Sequence, residues 1–284
     1  MLDFWIAATQ QPLARNAVFA ALLLSMACGV TGSYVVARRV TYIAAGVAHC
    51  VLGGMGAARY LQVVYGWRFF HPIYGALLAA LAAAGVIGWM SLANREREDS
   101  AISAVWSVGM AAGVLFIYAT PGYSQDLMGY LFGNILLVTQ QHLYFIMALD
   151  ALLLVVVARW YDEFQLVCFD EEFARTRNIN VPFFYILLLA LTALTVVALS
   201  VIVGIVLVIA LLTLPAAIAG RFAGSLAQMM LFASLLCGLF SLAGLTISYG
   251  PDLPAGPTII VIAGGCYFLA AAIGQLRRRV TGRQ

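Results

Sequence analysis

Residues 41–56, TYIAAGVAHCVLGGMG, decide how the rest of the chain is read. The stretch lies inside a longer apolar run and is made mostly of small residues, with glycine at 46, 53, 54 and 56. Small side chains let helices approach closely in lipid. His49 is the one histidine that falls well inside a lipid-spanning segment. A titratable, metal-competent group at that depth is costly. It marks either a functional site or a packing helix whose imidazole bonds a neighbouring carbonyl.

Outward from this stretch, apolar runs of about 20 residues recur along all 284 residues, each long enough to cross a hydrocarbon core of roughly 30 Å. The chain is 64% hydrophobic and 10% charged, with a mean hydropathy of +0.98. Soluble domains carry roughly 25% charged residues. The fold class is therefore an all-α, polytopic helical membrane protein; the ~10-residue alternating segments of a barrel are absent.

All fifteen basic residues are arginine. With no lysine there is no P-loop of the G-x-x-x-x-G-K-[ST] type and no Schiff-base chemistry. If ATP drives this protein, another polypeptide hydrolyses it. Five scattered cysteines (Cys28, Cys50, Cys168, Cys237, Cys266) form no C-x-x-C and suggest no disulfide framework. The net charge of +3 fits the bias of membrane loops and not nucleic-acid binding.

In chain order, residues 1–15 read as an interfacial amino-terminal segment, 16–276 as the transmembrane domain, and 277–284 as a basic cytoplasmic tail. Spans are expected over 16–37, 42–64, 71–94, 100–120 and 142–160, with a shorter re-entrant or interfacial piece at 126–138. A polar stretch, 161–180, precedes a 38-residue apolar run from Pro182 to Ala219, too long for one helix and enough for two. Gly204 and Pro215 are its candidate helix breaks, either a tight turn or a broken helix lining a cavity. Spans over 226–249 and 258–276 complete nine crossings, or eight if one segment stops short. With the loop after the first span in the cytoplasm, twelve arginines fall inside and three (Arg15, Arg59, Arg68) outside.

Six stretches resemble, in order, the membrane subunit of bacterial zinc- and manganese-type metal-uptake ABC transporters. They are GSYVVARRVTYIAAGVAHCVLGG (32–54), DSAISAVWSVGMAAGV (99–114), LMGYLFGNILLVT (127–139), FDEEFARTRNIN (169–180), VGIVLVIALLTLPAAIAGRFA (203–223) and GLTISYGPDLPAGPTIIV (244–261). The resemblance implies a multi-pass protein of the bacterial inner membrane that works as a permease homodimer. Its implied partners are a separate ATP-binding subunit and an extracytoplasmic metal-binding protein, and it binds no permanent cofactor. The cargo it implies is a divalent transition metal, with zinc placed first, then manganese and iron. It also makes 169–180 the coupling segment that seats on the ATPase, through Asp170, Glu171, Glu172, Phe173, Ala174 and Arg175. Well-known members carry D-x-x-x-H on the pathway helix; here His49 matches and Ala45 stands where the aspartate would be.

The other metal-pathway candidates are Asp150, placed mid-span, Cys50 beside His49, and His71 and His142 at outer span ends. Asp150 either reaches the pore from another helix or pairs at a helix interface. Cys50 lies about 100° round the helix from His49. Asp126 and Asp252 are further outer-face acids. The rival reading is a self-sufficient proton-coupled metal transporter or channel using His49 and Asp150. An intramembrane enzyme would need a paired catalytic constellation, and the sequence offers none.

Overall fold

The computed structural model describes residues 2–67, 69–93, 98–121, 133, 135–251 and 253–280. Among the described residues the ordered elements are all helical: α1 (Leu2–Gln10), α2 (Pro12–Ala37), α3 (Thr41–Val64), α4 (Pro72–Ala93), α5 (Glu98–Ala119), α6 (Gln140–Arg159), α7 (Tyr161–Phe169), α8 (Glu171–Thr176), α9 (Val181–Val203), α10 (Ile205–Ala219), α11 (Leu226–Tyr249) and α12 (Ala255–Val280). A 3-10 turn at Ile135–Leu137 precedes α6. Eight of these helices are long and apolar enough to cross a membrane, and α10 is a shorter apolar helix.

Contacts between helix ends sort the chain onto two faces. On one, Arg38 after α2 meets Glu171 at the start of α8, Ser91 near the end of α4 lies 3.0 Å from the Tyr185 hydroxyl near the start of α9, and the Arg221 guanidinium after α10 sits over Tyr267 on α12. On the other, the Asn16 amide donates to the Val138 carbonyl at 3.2 Å, and Phe4 of α1 packs edge-on against Tyr249 at the end of α11. The chain therefore alternates faces through α2, α3, α4, α5, α6, α9, α10, α11 and α12. Among the described residues that makes eight helices of crossing length, with the shorter α10 running between the same two faces. At 1.5 Å per residue, α10 is only about 22 Å long, short of a ~30 Å core. The arginine-rich face is the cytoplasmic one.

α3 is held by backbone approach. A Cβ on Gly53 would stand 2.6 Å from the Gly109 carbonyl oxygen of α5, and one on Gly56 would stand 2.9 Å from that of Gly113. Gly54 meets Gly75 of α4 as closely. The small residues of 41–56 thus hold three helices together, as lipid-buried packing requires.

Several boundaries differ from the sequence reading. Pro12 takes the first position of α2, where its missing N–H costs nothing, so residues 12–15 belong to α2. α1 packs on α2 and α11 with Phe4 fully buried. The polar stretch from Tyr161 holds a helix ahead of 169–180 that the sequence reading did not place: Phe164, Val167 and Cys168, at i, i+3 and i+4, are buried along one side of α7. At the carboxyl end the helix runs on to Val280, past Arg277–Arg279. Residues 126–132, most of the short apolar piece, lie outside the described residues, as do Asp252 and 281–284.

The long apolar run breaks at Gly204 alone. There φ is 84° and ψ 156°, a region open essentially only to glycine. Pro215 does not break α10, which continues through it to Ala219. Proline removes a single bond, to the carbonyl four residues back, and the packed apolar helix tolerates that loss. Gly133 lies directly on the break: a Cβ there would overlap the backbone of Val203 and Gly204.

Candidate functional site

His49 sits two turns into α3, about 12 Å along the helix from its cytoplasmic start. Its imidazole stacks on the indole of Trp106 in α5, with ring centroids 4.6 Å apart and planes 6° from parallel. Nδ1 is buried and has no hydrogen-bond partner among the described residues. The structure shows no bond from this atom to a neighbouring carbonyl, the bland alternative for such a histidine. The ring is instead oriented by an aromatic face, and Nδ1 stays unpaired among the described residues. Ala45, one turn below, contributes only a methyl group.

Below this pair a polar cavity of about 760 Å³ opens on the cytoplasmic side. Tyr42 and Ile43 of α3 line it, as does Ile102 of α5, one turn before Trp106. Its floor is the start of α8, with Asp170, Glu171, Glu172 and Arg175, facing Arg38 and Arg39 of the α2–α3 turn. The histidine–tryptophan pair thus stands above a vestibule whose walls carry both charge signs.

The other sequence candidates do not join His49. Asp150 is buried on α6, and neither carboxylate oxygen has a hydrogen-bond partner among the described residues. Helix α6 packs on α2 and α9, whereas α3 packs chiefly on α5 and α4, so the two residues serve different helix interfaces. The Cys50 thiol donates to the Val105 carbonyl at 3.3 Å and is committed to the α3–α5 contact. His142 caps a helix: its Nδ1 accepts from the Thr139 N–H at 3.4 Å, and Thr139 accepts in return from the His142 N–H. His71 is exposed, with Nδ1 accepting from the Ile73 N–H at 3.4 Å. Among the described residues no three of His, Cys, Asp and Glu gather into a metal-holding group.

At the cytoplasmic end, Asp170 caps α8 by accepting from the Phe173 N–H at 2.9 Å. Glu171 and Glu172 occupy the first turn and Arg175 the last, complementing the helix dipole. Ala174 is buried, while Phe173 is 43% exposed with Arg177 stacked over its ring. Within α7, burial pushes the Cys168 thiol up to about 12, against the opposing pull of Arg38.

Trp106, Arg38, Tyr185 and Ser91 are site residues that sequence reasoning did not single out. Trp106 stood within a quoted motif, but its partner lies 57 positions away. Arg38 looked like a charge ending a span. Replacing Trp106 with leucine should lower uptake about threefold to tenfold, the scale of one aromatic stack. Metal uptake at matched expression tests it, and unchanged uptake would make Trp106 plain packing.

A model of the ABC 3 transport family matches residues 10–274. The chain is 39% identical over 259 residues to a probable metal transport system membrane protein of Chlamydia trachomatis, covering 91% of this chain and 88% of that one. It is 32% identical over 262 residues to the manganese transport system membrane protein MntC of Listeria monocytogenes, covering 92% and 90%. Among solved structures, PsaBC from Streptococcus pneumoniae in complex with Fab superposes with a TM-score of 0.82 at 28% identity, covering 95% of each chain. The expected resemblance is thus met over nearly the whole length. An all-helical, multi-pass inner-membrane protein with this match has one place: the chain belongs to the ABC 3 transport family, as a metal-transport permease subunit and not an enzyme.

Proposed function

We propose that this permease imports zinc, through a pathway that passes His49. The observation that carries the reading is the His49–Trp106 pair: an imidazole whose buried Nδ1 has no partner among the described residues, two turns along α3 from Tyr42 in the wall of the cytoplasmic vestibule. Imidazole suits zinc, whereas manganese favours carboxylate and other oxygen ligands. Ala45 offers none on this face of α3. One imidazole, completed by water, carbonyls or the equivalent histidine of a second copy, is a site weak enough to release its ion.

The working assembly in this reading is two permease copies on two ATPase subunits, fed by an extracytoplasmic metal-binding protein. Helix α8 is the segment that docks the ATPase, and the transported ion is cargo, not a resident cofactor. Transport proceeds by alternating access, with closure of the ATPase pair switching the His49 pathway from the outer face to the vestibule. The second reading, manganese, is favoured by the relatives named for manganese transport.

The test is ATP-dependent uptake into proteoliposomes holding permease, ATPase and loaded binding protein, across zinc, manganese and iron. Zinc should be taken up fastest; fastest uptake of manganese would replace the first reading with the second. Metal flux through the permease alone, without ATP, would overturn the assembly. Ala45→Asp should raise manganese uptake relative to zinc by about tenfold, the worth of one added contact of ~1.4 kcal/mol. An unchanged ratio would mean that this face of α3 does not meet the ion.

A further inference from the structure

One side chain spans the distance between the docking helix and the helix that carries His49. α8 packs on α7 and α9, and α3 packs chiefly on α5 and α4. The turn feeding α3 is three residues long, Arg38–Val40, with Arg39 in the left-handed region at φ 62°. From it Arg38 reaches in three directions. One terminal nitrogen pairs with the carboxylate of Glu171, the first residue of α8. The other donates to the Val167 carbonyl, in the last turn of α7, at 2.8 Å. The guanidinium also lies over the ring of Tyr185 on α9, 5.2 Å from its centroid. Tyr185 in turn meets Ser91 of α4 at 3.0 Å.

These contacts have the properties of a linkage and not of a surface decoration. The Arg38 and Glu171 side chains are only 19% and 15% exposed, so the pair is little screened. The guanidinium is a planar fork whose orientation is fixed when two of its nitrogens and its face are all engaged. The arginine side chain begins at a tight turn that leads, after Arg39 and Val40, into α3. A displacement of α8 therefore reaches that turn through Arg38.

We propose that Arg38 is the positioning residue that delivers movement of α8 to the α2–α3 turn, and so to His49. Without the Arg38–Glu171 pair, an assembled transporter hydrolyses ATP with little metal moved. The inference rests on the reading of α8 as the ATPase-docking helix, which Phe173→Asp tests separately.

The experiment compares the full complex carrying Arg38→Ala, Arg38→Lys, Glu171→Arg, the double exchange Arg38→Glu with Glu171→Arg, and Phe173→Asp. It measures co-purified ATPase, ATP hydrolysis with loaded binding protein, and metal moved per ATP. Arg38→Ala should keep the ATPase bound and hydrolysis within about twofold, while metal per ATP falls about tenfold, the loss expected for one partly buried, doubly bonded charge pair. Arg38→Lys, which keeps the charge but not the fork, should fall between. The double exchange should recover about threefold or more over Glu171→Arg, a coupling that independent sites would not show. A normal metal-to-ATP ratio in Arg38→Ala overturns the linkage. So does loss of the ATPase from that variant, which would make Arg38 a prop for the docking surface. Phe173→Asp should shed the ATPase. If it instead keeps the ATPase and couples normally, α8 is not the docking helix, whatever Arg38 shows.

Discussion

Replacing His49 with alanine should lower metal uptake by the assembled transporter roughly 100-fold, at the upper end of what disturbed metal sites lose. Two features set that size. The imidazole is the one side chain of its type at this depth, and no carboxylate replaces it, since Ala45 is one turn away and Asp150 faces α2 and α9. The fold should survive, because the ring gives no hydrogen bond through Nδ1 to the described residues and is only half-buried. Its removal costs one stack on Trp106 and leaves the glycine contacts of α3 intact. Uptake measured beside gel-filtration profile and ATPase binding checks it. Full uptake by a well-assembled His49→Ala complex would take the histidine out of the pathway.

The second large effect is on assembly. Gly53→Leu places its first carbon 2.6 Å from the Gly109 carbonyl, and the atom it meets is backbone that no rotamer change can move. α3 and α5 must separate, and the cost is about 3 kcal/mol or more. The thermal midpoint of the purified subunit should drop by roughly 10 °C, with much of the protein lost as aggregate. Gly85→Ala is the control, because a Cβ there meets nothing within 4 Å. That variant should match or slightly exceed the unmodified protein, since alanine is the better helix former. A stable Gly53→Leu subunit would mean that these helices tolerate a wider spacing than the structure shows.

The sequence carried most of the fold because lipid leaves a chain few choices. Every backbone group must be satisfied within helices, so hydropathy and length place the spans to within a few residues. It carried less wherever the answer depended on what lay opposite. Gly204 and Pro215 look equally disruptive on paper. Only the backbone shows that the glycine adopts φ 84° and ends a helix, while the proline is absorbed. The α7 helix was legible in the spacing of Phe164, Val167 and Cys168, but Asp162 and Glu163 before them and Gln165 among them made the stretch read only as polar. His49 was visible as an oddity of type and depth. Its partner Trp106 was not, nor was the bond joining Arg38 to a residue 133 positions away.

The contact between Gly133 and the Val203–Gly204 backbone has a mechanical consequence. Two stretches of main chain touch there with no side chain between them to cushion or tilt. Any side chain at 133 would therefore have to push aside the joint between α9 and α10. The far end of α10, at Gly220 and Arg221, lines one cavity with Phe169 of α7, next to α8. The short tenth helix thus begins against the main chain at Gly133 and ends beside α7.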